Sequence, residues 1–448
     1  MKKKSKKLVS ALLTLAMVIS IFAILPPAAS AADDKPYYVK RTSVWDDEWF
    51  DRLYLALQHS EWSGNPVELK RNHTETFHGY FGGSLGGVSE LKLNGYTLNY
   101  ITYPEDGLKV ANGAAVKIWG PGYATFSGQD YGITFQSGIY EGSPIQVYWG
   151  AHVTFIGGKA GALVDTTVGS RGIGNVAPNP WPGTLSFQGR NNGHGIQIIG
   201  ANPRVVFNNL ENLEIIGAGN GHGILCSDPN ASPTLIFSNI SYKAFADASI
   251  DEGVSNAFEA VGASTILNYG PSNLTFCSGG ASGIFTRANT LTLGGTHPIY
   301  AIGSREGINL AGTGNQQITV NTTVYATGEG AKGKNSAGIH VDAPGLTLSG
   351  TGSITAKGEF AGIRMTNPNP STLTANVPLT AIGTGNGDMA AGIRTYANQL
   401  TLGGSKTITA GGEVAGIYIP GTGSGYRKLI QSLTYPAELK LIGPGSGI

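Results

Sequence analysis

The sequence has few charges, two cysteines and no long apolar run after its first residues, and each shortage excludes a class of protein. Charged residues are 13% of the chain, but 41% are apolar, so the chain is not disordered. Cys226 and Cys277 are too few for a disulfide framework in 448 residues. We expect them to be small buried residues, with one bridge as the alternative. Past residue 31 no stretch is apolar enough to span a bilayer.

The N-terminus has the three parts of a secretory signal peptide. Five lysines lie within residues 2–7, an apolar core covers Leu8–Leu25, and Ala29–Ala31 is a small-residue cleavage site. Pro26-Pro27 disfavours the alternative, an uncleaved membrane anchor. We therefore predict a signal peptide over 1–31 and a secreted or cell-surface protein that does not contact the membrane after cleavage. Loss of the five lysines leaves 25 basic and 29 acidic residues, a net charge of −4 that disfavours nucleic acid as a partner.

Glycine is abundant, with 67 residues, and much of it belongs to an internal repeat rather than to a collagen-like period. From Gly307 onward the spacings between Gly-Ile pairs are 31, 24, 30, 24 and 31, so long and short units alternate. A Gly-Ile pair recurs at Gly195, Gly223, Gly283, Gly307, Gly338, Gly362, Gly392, Gly416 and Gly447.

Each unit has three short runs in which apolar and polar residues alternate, the pattern of a half-buried strand. Examples are Leu346-Thr347-Leu348, Ile354-Thr355-Ala356 and the strand that begins at Gly362-Ile363. Three such strands in about 24 residues bury their apolar faces only when the units stack. The repeat therefore predicts an all-β fold, a right-handed parallel β-helix with three strands per coil and coils of about 24 and 30 residues alternating. A sandwich of hairpins is the alternative, which the scarcity of Asn-Gly turns disfavours.

The segment before the repeats predicts a cap. Residues 46–59 place Trp49, Leu53 and Leu57 on one face of an amphipathic helix with acidic residues in its first turn. We therefore divide the chain into a signal peptide at 1–31, an N-terminal cap with this helix at 32–90 and β-helix repeats at 91–448. The six tryptophans lie between Trp45 and Trp181, where packing of the cap and first coils is favoured over a role as sugar platforms. Residues 446–448 resemble the start of another coil, so we expect the natural chain to continue.

These features together resemble a known superfamily. The signal peptide, the capping helix, the run Leu91–Leu98 and coils of the form LTLxGxGxITAxGxxAGI are similar to secreted or surface-attached bacterial proteins of the pectin-lyase-like β-helix superfamily. The repeats most resemble the non-catalytic polysaccharide-binding β-helix proteins of Gram-positive bacteria. The resemblance covers residues 36–448 and implies polysaccharide of a plant or bacterial cell wall as partner. The fold also carries lyases, hydrolases and adhesins, so these stay open.

The sequence does not provide a clear catalytic set. The resemblance implies that hydrolases place two aspartates before a Gly-His-Gly, and Gly-His-Gly occurs here around His194 and His222 without that pair. We interpret both histidines as turn residues, with a shared ligand or metal site as the alternative. Asp247, Asp251 and Glu252 form an acidic cluster in an irregular segment, and we weigh a site there against a solvated loop. No cofactor is required by the sequence, although the glycine-rich loop 383–388 has oxygen ligands suited to Ca²⁺.

One column of residues is the best candidate for ligand binding. In a strand of the form Gly-Ile-x-apolar, the isoleucine points inward and x points outward. The last four x residues form a stripe of an imidazole, two guanidinium groups and a phenol, and guanidinium groups pair with carboxylates. We therefore predict that His340, Arg364, Arg394 and Tyr418 bind an acidic, pectin-like polysaccharide without catalysis, with a solvated outer face as the alternative. The whole column is Gln197, Leu225, Phe285, Asn309, His340, Arg364, Arg394 and Tyr418.

Overall fold

The computed structural model describes residues 35–40, 48–78, 85–111, 113–136, 143–167, 170–176, 181–228, 231–248, 255–330, 336–385, 390–420 and 427–443. In this part of the chain the protein is all-β, a parallel β-solenoid of about eleven turns with one helix. The predicted fold class is confirmed, while the right-handedness of the coils stays a prediction. Signal peptide residues 1–31 lie outside the described residues.

The strands follow one another in three lines, which we name after the repeat motifs. The Leu-Thr-Leu line is Tyr37–Val39, Glu48–Phe50, Val67–Leu69, Val88–Lys92, Ala115–Trp119, Ile145–Tyr148, Arg171–Gly174, the first parts of Arg204–Ile216 and Thr234–Ala248, Ser264–Asn268, Thr290–Gly295, Gln316–Val320, Gly345–Gly350, Ser371–Ala375, Gln399–Gly404 and Lys428–Leu433. Its first three strands pair antiparallel, with Tyr37–Val39 in the middle.

The Ile-Thr-Ala line comes second in each coil. It is His73–His78, Thr97–Tyr103, Gly122–Ser127, Ala151–Gly157, Thr184–Gly189, the second parts of the two long strands, Leu274–Ser278, Ile299–Gly303, Thr323–Gly328, Ser353–Gly358, Leu379–Gly383, Ile408–Gly412 and Leu439–Ile442. The register of the long strand Arg204–Ile216 shifts between Leu210 and Asn212, where the chain turns from one line to the next.

The Gly-Ile line is a sheet of twelve strands. It is Leu108–Val110, Tyr131–Phe135, Ala160–Asp165, His194–Ile199, Ile224–Cys226, Phe258–Ala260, Ser282–Thr286, Glu306–Leu310, Ala337–Val341, Ala361–Met365, Ala391–Thr395 and Ala415–Tyr418. The strand Phe258–Ala260 has no Gly-Ile pair, so the sequence repeat does not predict its coil.

The core confirms the predicted isoleucine ladder. Ile339, Ile363 and Ile393 pair in register and are 0% exposed. The glycine before each isoleucine is needed because the strand starts close to a neighbouring backbone. A Cβ atom on Gly362 would lie 2.3 Å from the nitrogen of Ile382 and 2.6 Å from the carbonyl carbon of Ala381. The Gly-Ile repeat therefore combines a close backbone approach with a buried side chain.

The single helix of the described residues covers Leu53–Ser63, so the predicted start at residue 46 is wrong. Trp49 lies instead on the strand Glu48–Phe50, and no acidic residue lies in the first helical turn. The buried carboxylate of Glu75, from the first Ile-Thr-Ala strand, accepts a 2.9 Å hydrogen bond from the Leu53 N–H. Leu57 is buried as expected, and its carbonyl accepts a hydrogen bond from Ser89 Oγ. The helix thus packs on an early strand of the solenoid, as a cap would.

Candidate binding groove on the Gly-Ile face

A row of polar residues interrupts an alanine column on the Gly-Ile line. In the last four described strands of this line the residue before the glycine is Ala337, Ala361, Ala391 or Ala415, and these alanines pair in register. Five earlier coils have polar residues at the same place, and backbone hydrogen bonds join each to its neighbour's coil. We call this row the polar ladder: His194, His222, Asn256, Ser282 and Glu306.

Each side chain of the polar ladder bonds to the next coil. The N–H of His222 donates to His194 Nδ1 at 3.0 Å, and the N–H of Asn256 donates to His222 Nδ1 at 2.9 Å. The N–H of Ser282 donates to Asn256 Oδ1 at 3.0 Å, and Ser282 Oγ donates to Glu306 Oε2 at 3.2 Å. Because both Nδ1 atoms accept, the two imidazoles are neutral rings with their protons on Nε2.

His194 and His222, which we interpreted as turn residues, contact each other directly. Their rings stack at 5.2 Å with planes 9° apart. Burial, together with the neighbouring ring of His222, lowers the pKa of His194 to about 4. On its other side His222 Nε2 lies 3.3 Å from Glu259 Oε2, and Asn256 Nδ2 donates to the same oxygen at 2.8 Å. Glu259 is therefore held in place by the polar ladder.

At the other end of the ladder, Glu306 is the centre of an ionic cluster. Its side chain is 2% exposed and its Oε1 lies 3.3 Å from Arg364 Nη2 and 3.6 Å from His340 Nδ1. His340 Nε2 in turn lies 3.1 Å from Asp342 Oδ1. Burial alone would raise the pKa of Glu306, but the bond to His340 and the charges of His340, Arg305 and Arg364 hold it below the ordinary value. The carboxylate is therefore ionised and neutralised within the protein.

The predicted stripe forms a continuous row, but its side chains are not open to solvent. His340 pairs with Arg364, Arg364 with Arg394 and Arg394 with Tyr418, as the repeat predicted. His340, Arg364 and Arg394 are only 9%, 8% and 4% exposed. Arg364 Nη2 donates a hydrogen bond to Glu306, a residue 58 positions earlier. The strand pattern alone does not predict this contact. Both guanidinium groups are therefore covered by neighbouring side chains, and the alternative of a solvated outer face does not hold for Arg364 and Arg394.

Arg394 is enclosed by aromatic rings. Its guanidinium carbon lies 4.1 Å from the centroid of Phe360, 4.7 Å from that of Tyr418 and 5.3 Å from that of Tyr396. Cation–π contacts of this kind stabilise a cation that is withdrawn from solvent. Tyr418 thus packs on Arg394, while a direct role of the stripe in ligand binding stays a prediction.

Beside this row lies an open groove of about 360 Å³, on the same face as the polar ladder. Phe285 is half-buried in its lining, Glu259 and Glu306 contribute carboxylates, and Arg287 and Arg305 are exposed guanidinium groups. Asn309, a member of the predicted column, lies on the next strand after Phe285. The full lining is Asn220, His222, Asn256, Glu259, Ala281, Ser282, Phe285, Arg287, Arg305, Glu306 and Asn309.

The groove presents mixed charge rather than an acid–base pair. Glu259 and Glu306 lie on strands two rungs apart, a separation along the solenoid of about 10 Å at 4.8 Å per rung. Inverting glycosidases use carboxyl groups about 6.5–9.5 Å apart, one of them with a raised pKa. The pKa of Glu306 is lowered, so this residue does not hold a proton for a leaving group at neutral pH. The arrangement is better suited to binding.

Several other sequence hypotheses meet the structure only in part. Asp251, Glu252 and residues 386–388 of the glycine-rich loop lie outside the described residues, and the side chain of Asp247 is not described either. Within the described residues, no group of three or more His, Cys, Asp or Glu side chains is placed to hold a metal ion. Ca²⁺ binding therefore stays a prediction. No disulfide joins Cys226, which is buried, to the half-buried Cys277.

Three tryptophans are exposed, contrary to the hypothesis that they pack in the cap and first coils. Trp62, Trp149 and Trp181 are 82%, 53% and 69% exposed, so burial in the cap or first coils does not account for them. Trp119 is half-buried and its ring meets that of Trp149 at 5.4 Å, nearly edge to face. The clustering of tryptophans in the first half of the sequence was the only available sign of this exposed aromatic surface.

Comparison with known proteins identifies no relative. No protein-family model, no curated protein and no solved structure matches this chain. The fold is compatible with the pectin-lyase-like β-helix, and the coarser class, a parallel β-solenoid protein, is what the structure defines. Among the described residues we find no helix with the length and apolar character that a membrane span requires.

Proposed function

We propose that this protein is a secreted or cell-surface β-solenoid that binds an acidic polysaccharide in the groove of the Gly-Ile face, without chemistry of its own. The observation that carries the proposal is the pair of exposed guanidinium groups, Arg287 and Arg305, beside the ring of Phe285 in one open groove. Guanidinium groups pair with carboxylates through two parallel hydrogen bonds. A sugar ring packs its C–H face on an aromatic ring, so the set fits a uronic acid.

The charges around the groove support an anionic ligand. Glu306 would repel such a ligand if it were free, but Arg364 and His340 already neutralise it. Arg305 Nε is 3.9 Å from Glu306 Oε1, at the limit of an ion pair, and its side chain remains 48% exposed. Glu259 is bonded to His222 and Asn256. The cations at the rim are therefore more accessible than the carboxylates behind them.

The predicted stripe has an indirect role in this proposal. Arg364 and His340 hold Glu306 in an ionised, neutralised state, and Arg394 stabilises the neighbouring coil through its aromatic contacts. These residues are positioning residues for the groove rather than direct ligand contacts. The proposal therefore keeps the polysaccharide and moves its main contacts to Arg287, Arg305 and Phe285.

The test is binding of polygalacturonate by the full chain, measured by affinity electrophoresis and calorimetry. We expect Arg287→Ala with Arg305→Ala to weaken binding at least tenfold and to reduce its dependence on salt, because two charge contacts are lost. Arg204→Ala is the matched control, since Arg204 is an exposed arginine of the Leu-Thr-Leu line. Equal binding by the double variant and the wild type would refute the site, and absence of wild-type binding to any uronic-acid polymer would refute the proposal.

A polysaccharide hydrolase is the second candidate, because Glu259 and Glu306 share one groove. The same polygalacturonate incubations can be assayed for new reducing ends. Products that disappear in Glu259→Gln while polysaccharide binding persists would favour the enzyme over the binding protein. A structural adhesin without sugar specificity remains the third class, and it predicts no saturable binding of any polysaccharide.

A further inference from the structure

Exposed aromatic side chains line one corner of the solenoid, far along the chain from the groove. Tyr96, Tyr123, Trp149 and Trp181 lie on four successive coils where the Leu-Thr-Leu line turns into the Ile-Thr-Ala line. Their exposed fractions are 36%, 59%, 53% and 69%. Backbone hydrogen bonds join them in two pairs: the N–H of Tyr123 donates to the carbonyl of Tyr96, and the N–H of Trp149 to that of Trp181. Tyr123 itself pairs in register with His152, three residues after Trp149 on the same corner. We call these four residues the aromatic ridge.

Trp149 is held in a backbone conformation that bulky residues seldom adopt. Its φ is 54° and that of the following Gly150 is 74°. The turn two coils earlier has the same pair of angles at Asn94 and Gly95, 55° and 84°, and asparagine tolerates this left-handed region. A tryptophan with this φ has a strained backbone, and proteins keep such strain mainly at functional sites. Folding alone would favour asparagine or glycine at residue 149.

Neighbouring side chains fix the ridge from its base. The edge of Trp119 meets Trp149 at 5.4 Å, and Lys92 Nζ lies 5.0 Å from the centroid of Trp119. The ring of Tyr123 stacks on His152 at 4.9 Å with planes 16° apart. Aromatic rings held in this way lose little freedom when a ligand covers them. The ridge is therefore a preformed surface.

We propose that the aromatic ridge binds a single extended chain of a neutral polysaccharide. The four side chains carry no charge, so they form no ion pair with a carboxylate or sulfate group. Their faces suit the weakly polarised C–H groups of a pyranose ring, because the face of an aromatic ring is negative. Coils follow one another at about 4.8 Å, close to the length of one sugar unit along an extended chain. The four rings lie within a strip of four register positions along one corner, and so narrow a strip matches a polymer strand better than the broad patch of a stable protein interface.

This site is separate from the groove of the proposed function. The ridge lies at residues 96–181 on the corner between the first two lines, whereas the groove is formed by residues 220–309 of the third line. The two sites also differ in chemistry, since the groove has arginines at its rim and the ridge has uncharged rings. One protein with both would hold two kinds of polymer together.

The experiment measures binding of the full chain to soluble neutral polysaccharides, hydroxyethyl cellulose, xylan and galactomannan, by affinity electrophoresis. We expect Trp149→Ala with Trp181→Ala to weaken binding to the best of these at least tenfold, and Trp149→Tyr to retain most of it. Trp62→Ala is the matched control, because Trp62 is 82% exposed and lies in the helix. It should bind as the wild type does, and circular dichroism should show that all variants fold.

The outcomes separate the two sites. Arg287→Ala with Arg305→Ala should leave neutral binding unchanged, and the ridge variants should leave polygalacturonate binding unchanged. The ridge proposal is overturned when the wild type binds none of the three neutral polymers, or when the double tryptophan variant binds as tightly as the wild type. A wild-type dimer that Trp149→Ala with Trp181→Ala converts to a monomer would also overturn it, because the ridge would then be a protein interface.

Discussion

The ionic cluster at Glu306 allows a sharp test of how the Gly-Ile face is built. We predict that Glu306→Gln lowers the free energy of unfolding by about 3 kcal/mol. The carboxylate is 2% exposed and faces Arg364 at 3.3 Å and His340 at 3.6 Å. Removing one member of a buried ion pair costs about 3–5 kcal/mol, because the remaining charge is left buried. Glutamine keeps the shape and can accept from Ser282 Oγ, so the lower end applies.

The assay is urea unfolding of the full chain, followed by tryptophan fluorescence and by circular dichroism. Stacked coils can unfold in more than one step, so the two signals must coincide before a free energy is taken from the midpoint and slope. Glu438→Gln is the matched control, since this side chain is 65% exposed. Exposed substitutions of this kind change stability by no more than about 0.5 kcal/mol.

A second measurement distinguishes charge from packing. Burial alone would lower the pKa of His340, but hydrogen bonds to Asp342 and Glu306 raise it above its ordinary value. In Glu306→Gln the charge of Glu306 is absent, so the pKa of His340 should fall, as observed by proton NMR of the ring. The reasoning is refuted when Glu306→Gln is as stable as the Glu438→Gln control, or when the pKa of His340 is unchanged.

Three further predictions concern other parts of the solenoid. Gly362→Ala should lower the free energy of unfolding by about 1–3 kcal/mol or more in the same urea assay, because the new Cβ would lie 2.3 Å from the backbone nitrogen of Ile382. Gly411→Ala is the control and should change stability far less, because its Cβ would have a nearest contact of 3.5 Å. The hydrogen bond to His340 lowers the pKa of Asp342 to about 2, so the stabilisation by the Asp342 carboxylate is present above about pH 4 and is lost as the pH falls toward 2. Asp342→Asn should not show this loss when urea midpoints are measured at pH 5, 3 and 2. Because the pKa of His194 is lowered to about 4, the contribution of its neutral ring to stability is present above about pH 6.5 and is lost as the pH falls toward 4. In proton NMR its ring resonances should therefore not titrate between pH 8 and 6. An ordinary titration near 6.5 would contradict the stacked neutral pair.

The fold could be predicted from the sequence because every coil of a solenoid has similar contacts, and the same short residue pattern therefore recurs along the chain. One Gly-Ile pair per coil identifies a close backbone approach and a core residue at once, so the register of Ile339, Ile363 and Ile393 follows directly from their spacing. The prediction was incomplete where a coil departs from the repeat. Phe258–Ala260 fills the same place with an aromatic residue, and only the neighbouring strands reveal its position.

The candidate site could be predicted only as a row of residues. Strand periodicity correctly placed His340, Arg364, Arg394 and Tyr418 on adjacent rungs, since period two depends on local geometry alone. Their burial depends on side chains from other coils, such as Glu306 against Arg364 and Phe360 against Arg394, and long side chains choose partners across several rungs. The predicted helix start was wrong for a similar reason. The N–H of Leu53 at the true start donates to the carboxylate of Glu75, a residue 22 positions later in the chain.

The polar ladder shows how such a repeat can acquire a site without losing its fold. An alanine column needs only small side chains, and five successive coils replace alanine with residues that bond to the next coil's backbone or side chain. Each replacement satisfies its own buried polar atoms locally, so the cost of burying polar groups is offset rung by rung. The fifth rung differs, because a carboxylate at residue 306 needs cations. The chain supplies them in the column of Asn309, with His340 one rung further along and Arg364 two rungs further along. Arg364, which the repeat pattern left unexplained, is therefore in part a consequence of the ladder beside it. Arg305 meets the same demand only at the 3.9 Å limit of an ion pair and stays 48% exposed, and the demand of Glu306 does not account for the exposed Arg287.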